Sequence, residues 1–142
     1  MRFMIIRKAD ADTEAGVMPS TELLNAMTQY NQAMVDAGIM EAGEGLHPSS
    51  RGVRVKFQGG KPTFVDGPFS ETKELIAGFS IINVKSREEA LEWVRRWPVE
   101  DANGGAELEI RQIFTAEDFG EAFTPELREQ EERMRAQSAA KQ

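Results

Sequence analysis

The chain carries a single histidine, His47, inside a stretch of the polar residue types that proton-transfer chemistry uses: Glu44-Gly45-Leu46-His47-Pro48-Ser49-Ser50-Arg51. A second such stretch is Asp66-Gly67-Pro68-Phe69-Ser70-Glu71-Thr72-Lys73-Glu74. A hairpin separates the two, and matched arms would bring their outer ends together. His47 and Asp66 would then come within hydrogen-bonding reach, the carboxylate orienting the imidazole for general acid or base work near neutral pH. Arg51 or Lys73 would hold an anionic substrate, with Glu44, Phe69 and Glu74 completing the lining. Each residue also has a plainer reading. A His-Pro step beside two serines is a common solvated turn, and an Asp before Gly-Pro commonly caps its own loop. Lys73 and Glu74 can be read as a surface ion pair.

Other chemistries find little support. The chain has no cysteine, which excludes disulfides, thiolate metal sites and a Cys nucleophile. One histidine excludes a His-rich metal site within one chain. Glu41, Glu44 and Asp66 could approach a hard cation, but no EF-hand spacing surrounds them, so no metal is expected. Ser49 and Ser50 lack the context of a nucleophile elbow. Gly59-Gly60 precedes no helix and is a hairpin turn rather than a phosphate cradle, so no cofactor is expected either. Trp93 and Trp97 stand at helical spacing and read as core.

These loops need a scaffold, and 142 residues suffice for one domain with a core of its own. Phe3 to Ile6 reads as a buried first strand. It is too short for the core of a signal peptide and is followed by no cleavage pattern, so a soluble cytoplasmic protein is expected. After a polar loop, Asp10 to Gly16, Ser20 or Thr21 caps a helix whose Leu23, Met27, Tyr30 and Met34 share one face, and Gly38 ends it. Ile39 to Leu46 is a strand interrupted by Gly43 and Gly45. Val53, Val55 and Phe57 alternate with polar residues, turn at Gly59-Gly60 and return through Thr63 to Val65, with Pro62 marking a sheet edge or a late start. Leu75 to Val84 is apolar on both sides, which calls for cover on both faces. Ser86 to Glu89 is a capping box that opens a second helix, with Ala90, Trp93, Val94 and Trp97 on its apolar face and Pro98 as its stop. Leu108 to Phe114 is the last strand. Residues 121–142 form an acidic tail, helical from Pro125 and suited to act as an interaction module.

The order β, α, β, β, β, β, α, β is the split βαβ arrangement with an inserted β-hairpin. It predicts an α+β, ferredoxin-like antiparallel sheet carrying two helices on one face. The other face would keep large apolar side chains, and pairing two such faces gives a homodimeric α+β barrel. The net charge of −7 argues against a nucleic acid or an anionic membrane as partner, leaving a small-molecule ligand and a second copy of the chain.

The Asp66-Gly67-Pro68-Phe69 motif, followed by Glu71-Thr72-Lys73-Glu74 and the apolar strand, resembles the DGPF-type members of the YCII-related proteins. Gly43 to Pro48, Glu92-Trp93 to Trp97-Pro98, and Glu109-Ile110-Arg111 extend the resemblance over residues 1–120. It implies a ferredoxin-like subunit in a dimeric barrel with a polar cleft, in which a His–Asp pair is suspected of catalysis. Only Asp66 matches by motif. The suspected histidine belongs near the first helix, where this chain has none, so the pairing with His47 rests on the loop argument. DGPF-type relatives often look like companions of extracytoplasmic-function sigma factors. Two functions are therefore carried forward: a small-molecule enzyme using His47 and Asp66, and a non-catalytic metabolite-binding or regulatory dimer.

Overall fold

A computed structural model describes residues 1–141. Alternation at the N-terminus produces β1 (Arg2–Lys8), which buries Phe3 and Ile5. The polar loop that follows is more ordered than expected. Asp10 accepts from the Thr13 amide while the Thr13 hydroxyl accepts from the Asp10 amide, and this reciprocal cap closes a short helix, α1 (Ala11–Glu14). Helix α2 (Thr21–Asp36) begins at Ser20, whose Oγ accepts from the Leu23 amide at 3.1 Å, and buries Tyr30 and Met34. Strand β2 (Met40–Gly45) leads to the hairpin β3 (Val53–Gln58) and β4 (Lys61–Asp66), which turns at Gly59-Gly60. Strand β5 (Ile76–Asn83) and helix α3 (Arg87–Val94) follow. At the start of α3, Ser86 Oγ accepts from the Glu89 amide, and the Glu89 carboxylate reaches back to the amide of Lys85 rather than that of Ser86. The last strand, β6 (Leu108–Gln112), stops two residues before the expected end.

The main sheet has the order β2-β5-β1-β6 with every neighbour antiparallel, the ferredoxin-like order of a split βαβ chain. Register defines its faces. Phe3 pairs Ile82 and Ile5 pairs Ser80, and this side packs on Tyr30 and Met34 of α2 and Ala90 of α3. Tyr30 donates its hydroxyl to the Trp93 carbonyl at 2.8 Å, tying the two helices together. The desolvated Tyr30 phenol is pushed up to about 12, so it stays a donor throughout the ordinary pH range. Met4, Ile6, Phe79 and Ile81 occupy the opposite face and are half-buried.

The hairpin stands apart as a two-stranded sheet, and all of its strand residues are exposed. Pro62 pairs Phe57 in it, where the ladder needs no further neighbour.

The chain divides into two compact units, Met1–Gln112 and the segment from Ile113 onward. In the second, Phe119 stacks between Phe114 and Phe123, and Arg128 donates to the Phe123 carbonyl at 3.2 Å. Helix α4 (Pro125–Ala140), capped by Thr124, buries no residue and carries Glu129–Arg133 and Glu131–Arg135 pairs one turn apart. No helix among the described residues is long and apolar enough to cross a membrane.

Candidate functional site

The helix-facing side of the sheet is filled by large side chains at one end and almost empty at the other. Gly43 pairs Ser80 and Gly45 pairs Gly78, so beyond Ile82 the part of the floor built by β2 and β5 carries nothing larger than a hydroxymethyl group. Side chains that short cannot reach α2, and a cleft of about 750 Å3 remains between sheet and helix. Its volume lies within the range of pockets that hold small organic molecules. Leu23, Leu24 and Met27 of α2 and Met40 of β2 form an apolar wall. The loop before α2 and the loop after α3 close the polar end, and His47 and Pro48 stand at the margin.

That polar end is organised by an ion pair. Arg7 is the next helix-facing position of β1 after Phe3 and Ile5, so its stem is drawn into the core and its guanidinium emerges in the cleft. Asp101 grips it bidentately: Nε donates to Oδ2 at 2.9 Å and Nη2 to Oδ1 at 2.8 Å. The Trp97 indole adds a donor to Oδ2 at 2.9 Å, and Arg7 Nη2 also reaches Asp10 at 3.1 Å. Only about a tenth of the Arg7 and Asp101 side chains is exposed. Burial pushes Asp101 up, but hydrogen bonds from Arg7 and Trp97 and the charge of Arg7 outweigh it and hold the carboxyl below its usual value. The Thr13 amide and Arg7 hold Asp10 below its usual value in the same way. Both stay ionised at neutral pH.

The two polar loops meet, through contacts other than the expected one. Among the described residues no hydrogen bond or ion pair joins His47 to Asp66. Arg51 Nη1 lies 3.1 Å from His47 Nε2 and 3.4 Å from Nδ1, so the guanidinium rests against the imidazole ring. Asp66 ends β4 opposite Val53 and is exposed. Ser49 is the joint. Its amide and hydroxyl both donate to the Glu14 carboxylate, and its Oγ accepts from the Phe69 amide at 3.0 Å. The Gly67 amide donates to the Gly52 carbonyl at 2.9 Å, and the Phe69 ring lies 4.0 Å beneath the Arg54 guanidinium. The Gly67-Pro68-Phe69 segment therefore works as a clasp that holds the His47 loop against α1. Glu44 lines the cleft from the edge strand, where register turns its side chain toward the opposite face with Phe79. Lys73 and Glu74 sit in an exposed turn, Thr72–Glu74, without an ion-pair partner among the described residues.

Arg7, Asp101 and Ser80 were not among the sequence candidates. Arg7 left a signal, because a charge at the third position of the series Phe3, Ile5, Arg7 must be buried with a partner. Asp101 left none: it lies in an irregular turn with Ala102 and Asn103 at positive φ. Trp97, read as core, touches Tyr30 edge-on and also serves the cleft through its indole N–H. No group of three or more His, Cys, Asp or Glu side chains converges to hold a metal among the described residues.

Residues 1–114 match the YCII-related domain. The chain belongs to the YCII-related family. The matched segment contains the whole cleft, whose lining runs from Arg7 to Asn103. An uncharacterized protein of Rhizobium meliloti (strain 1021) is 30% identical over 73 residues, which are 51% of this chain and 59% of that protein. The match thus spans less than two thirds of the relative's length. Among solved structures, a 5-chloro-2-hydroxyhydroquinone dehydrochlorinase from Burkholderia phenoliruptrix AC1100, in complex with 2,5-dihydroxybenzoquinone, is similar at 16% identity. The similarity has a TM-score of 0.45 and covers 80% of this chain and 94% of that one.

Proposed function

We propose that this YCII-related chain binds a small molecule with an apolar body in the cleft between α2 and the sheet. One observation carries the reading: paired small residues on β2 and β5 clear a volume of about 750 Å3 beside a fully assembled charged network. A packing accident would not combine an apolar wall with convergent polar groups. Gly45→Leu tests it directly. A Cβ at Gly45 meets no atom within 4 Å, and the backbone there needs no positive φ, so the leucine projects into the cleft unopposed. The variant should stay within about 1 kcal/mol of wild-type stability. It should also lose the fragment hits that raise the wild-type melting temperature. Identical hits in both proteins would place binding elsewhere.

Proton transfer by His47 is the second reading, favoured by the imidazole at the cleft margin with Arg51 against Nε2. In that reading Arg51 orients the ring, and Phe69 holds the loop through its amide to Ser49 Oγ. For an enzyme, His47→Ala should bind ligand and fail to turn it over; for a binder, only affinity changes.

The half-buried Met4, Ile6, Phe79 and Ile81 support a homodimer that closes these faces into a barrel. Sedimentation equilibrium should then give twice the 15.9 kDa chain mass, and Ile81→Glu should halve it. A wild type that sediments as a monomer at micromolar concentration would refute the barrel.

A further inference from the structure

Among the described residues, Ser80 is the one polar side chain that β2 and β5 place on the cleared floor, with Arg7 beside it on β1. The residue is 8% exposed, and its Oγ takes part in no hydrogen bond among the described residues. A buried hydroxyl without a partner is unfavourable, and alanine would fill this position of β5 without that penalty. Every unpaired side-chain oxygen or nitrogen among the described residues keeps some access to solvent, so this one opens into the cleft.

The charges around the cleft are unbalanced. Asp10, Asp12, Glu100 and Asp101 line its polar end against one cation, Arg7. Four of the five Arg7 N–H groups already donate to Asp101, Asp10 and the Lys8 carbonyl, which leaves one on Nη1. A ligand carboxylate or phosphate could grip Arg7 bidentately only by displacing an ionised carboxylate or the Lys8 carbonyl, while facing a net negative wall. In a recess with low-dielectric walls that repulsion is focused rather than screened. An ammonium meets the opposite situation, since it carries three donors and needs acceptors and negative charge. Both are present without rearrangement.

We infer that the cleft selects a small organic cation, an apolar body bearing an ammonium group, with Ser80 Oγ as its hydrogen-bond acceptor and the surplus carboxylates as its counter-charge. The inference rests on the cleft-binding reading and replaces the anionic substrate expected from Arg51 and Lys73. The body would lie on Leu23, Met27 and Met40, whose flexible thioethers accommodate rings of varied shape.

Three probes of matched shape separate the charge states: 2-phenylethylammonium, 2-phenylethanol and 3-phenylpropionate. Each is titrated by NMR chemical shift into wild type, Ser80→Ala, Asp10→Asn and Gly45→Leu. The ammonium should bind at least about tenfold more tightly than the carboxylate, with the alcohol between them and the gap narrowing at high salt. Ser80→Ala should weaken the ammonium about fivefold. Asp10→Asn keeps the α1 cap while removing a charge, and should cut the preference for ammonium about threefold. Gly45→Leu should abolish all binding. Carboxylate binding as tight as ammonium binding, lost in Gly45→Leu, would overturn the cation assignment and leave the cleft reading standing. Equal ammonium affinity in wild type and Ser80→Ala would overturn the role of Ser80. Binding indifferent to Gly45→Leu, or no binding of any probe, would overturn both readings.

Discussion

Gly67→Ala should lower the unfolding midpoint by about 10 °C, corresponding to roughly 3 kcal/mol for a chain of this size. A Cβ at Gly67 would stand 1.8 Å from the Ser49 carbonyl oxygen and 2.7 Å from the carbonyl carbon. Both are backbone atoms, so no side-chain rotation relieves the overlap, and one of the two loops must move. Any movement pulls on the rest of the clasp, because Ser49 also holds Glu14 and the Phe69 amide, and Gly67 itself donates to Gly52. The consequence should spread from stability to function: with the clasp open, the His47 loop loses its anchor on α1 and the cleft loses its margin. Thermal unfolding checks the first effect, and hydrogen exchange at the Ser49, Gly67 and Phe69 amides checks the second. A midpoint within 2–3 °C of wild type would show that the loops part at little cost, contrary to the contacts described.

This glycine explains why the motif was legible while its purpose was not. Asp66-Gly67-Pro68-Phe69 stands out in the sequence as a turn between two strands, and an Asp so placed reads naturally as a chemical group. In the structure the chemistry-bearing residue type is exposed at the strand end, whereas the glycine and the Phe69 amide make the long-range contacts. Hairpin register correctly implied that the two loops would meet. It could not say which atoms would meet, because that depends on side-chain direction and on α1, whose cap at Asp10 was read only as polar loop.

The scaffold itself was readable because periodicity reports burial. Tyr30, Met34, Ile82 and Ala90 were marked by helical or strand spacing, and each is buried. The cleft was harder to read, because it is made by the absence of side chains. Gly43 and Gly45 looked like interruptions of a strand. Only the antiparallel register that sets them opposite Ser80 and Gly78 turns them into a floor. Such a pairing joins residues about 35 apart in sequence, and spacing along one strand does not contain it.

Asp101→Asn should cost about 3 kcal/mol at neutral pH, and the loss should fade in acid. The carboxylate accepts from Arg7 twice and from the Trp97 indole once, so every partner is a donor. An asparagine keeps the shape but turns an NH2 toward one of those donors whichever way it flips, and it leaves Arg7 with only the more exposed Asp10 as counter-charge. Removing one member of a buried pair typically costs about 3–5 kcal/mol; the surviving Asp10 contact places this case at the low end. The pH dependence follows from the lowered folded-state affinity of Asp101 for its proton. Its stabilisation is complete above the ordinary carboxyl value near ~4 and disappears as pH falls through the lower folded value. Arg7 shifts upward, held by the Asp101 carboxylate, and so stays charged and contributes no slope in this window. Asp10 shifts downward too, but it is present in both proteins. Urea unfolding at pH 7 and at pH 3 should therefore show a wild-type advantage that shrinks in acid; an advantage unchanged at pH 3 would deny Asp101 its role. A companion pair sharpens the point. Replacing both partners, Arg7→Met with Asp101→Leu, should restore most of the stability lost by either change alone, since the charged pair itself contributes little net energy. If the double variant is stable yet fails to bind ligand, the pair is kept for the cleft it shapes rather than for the fold.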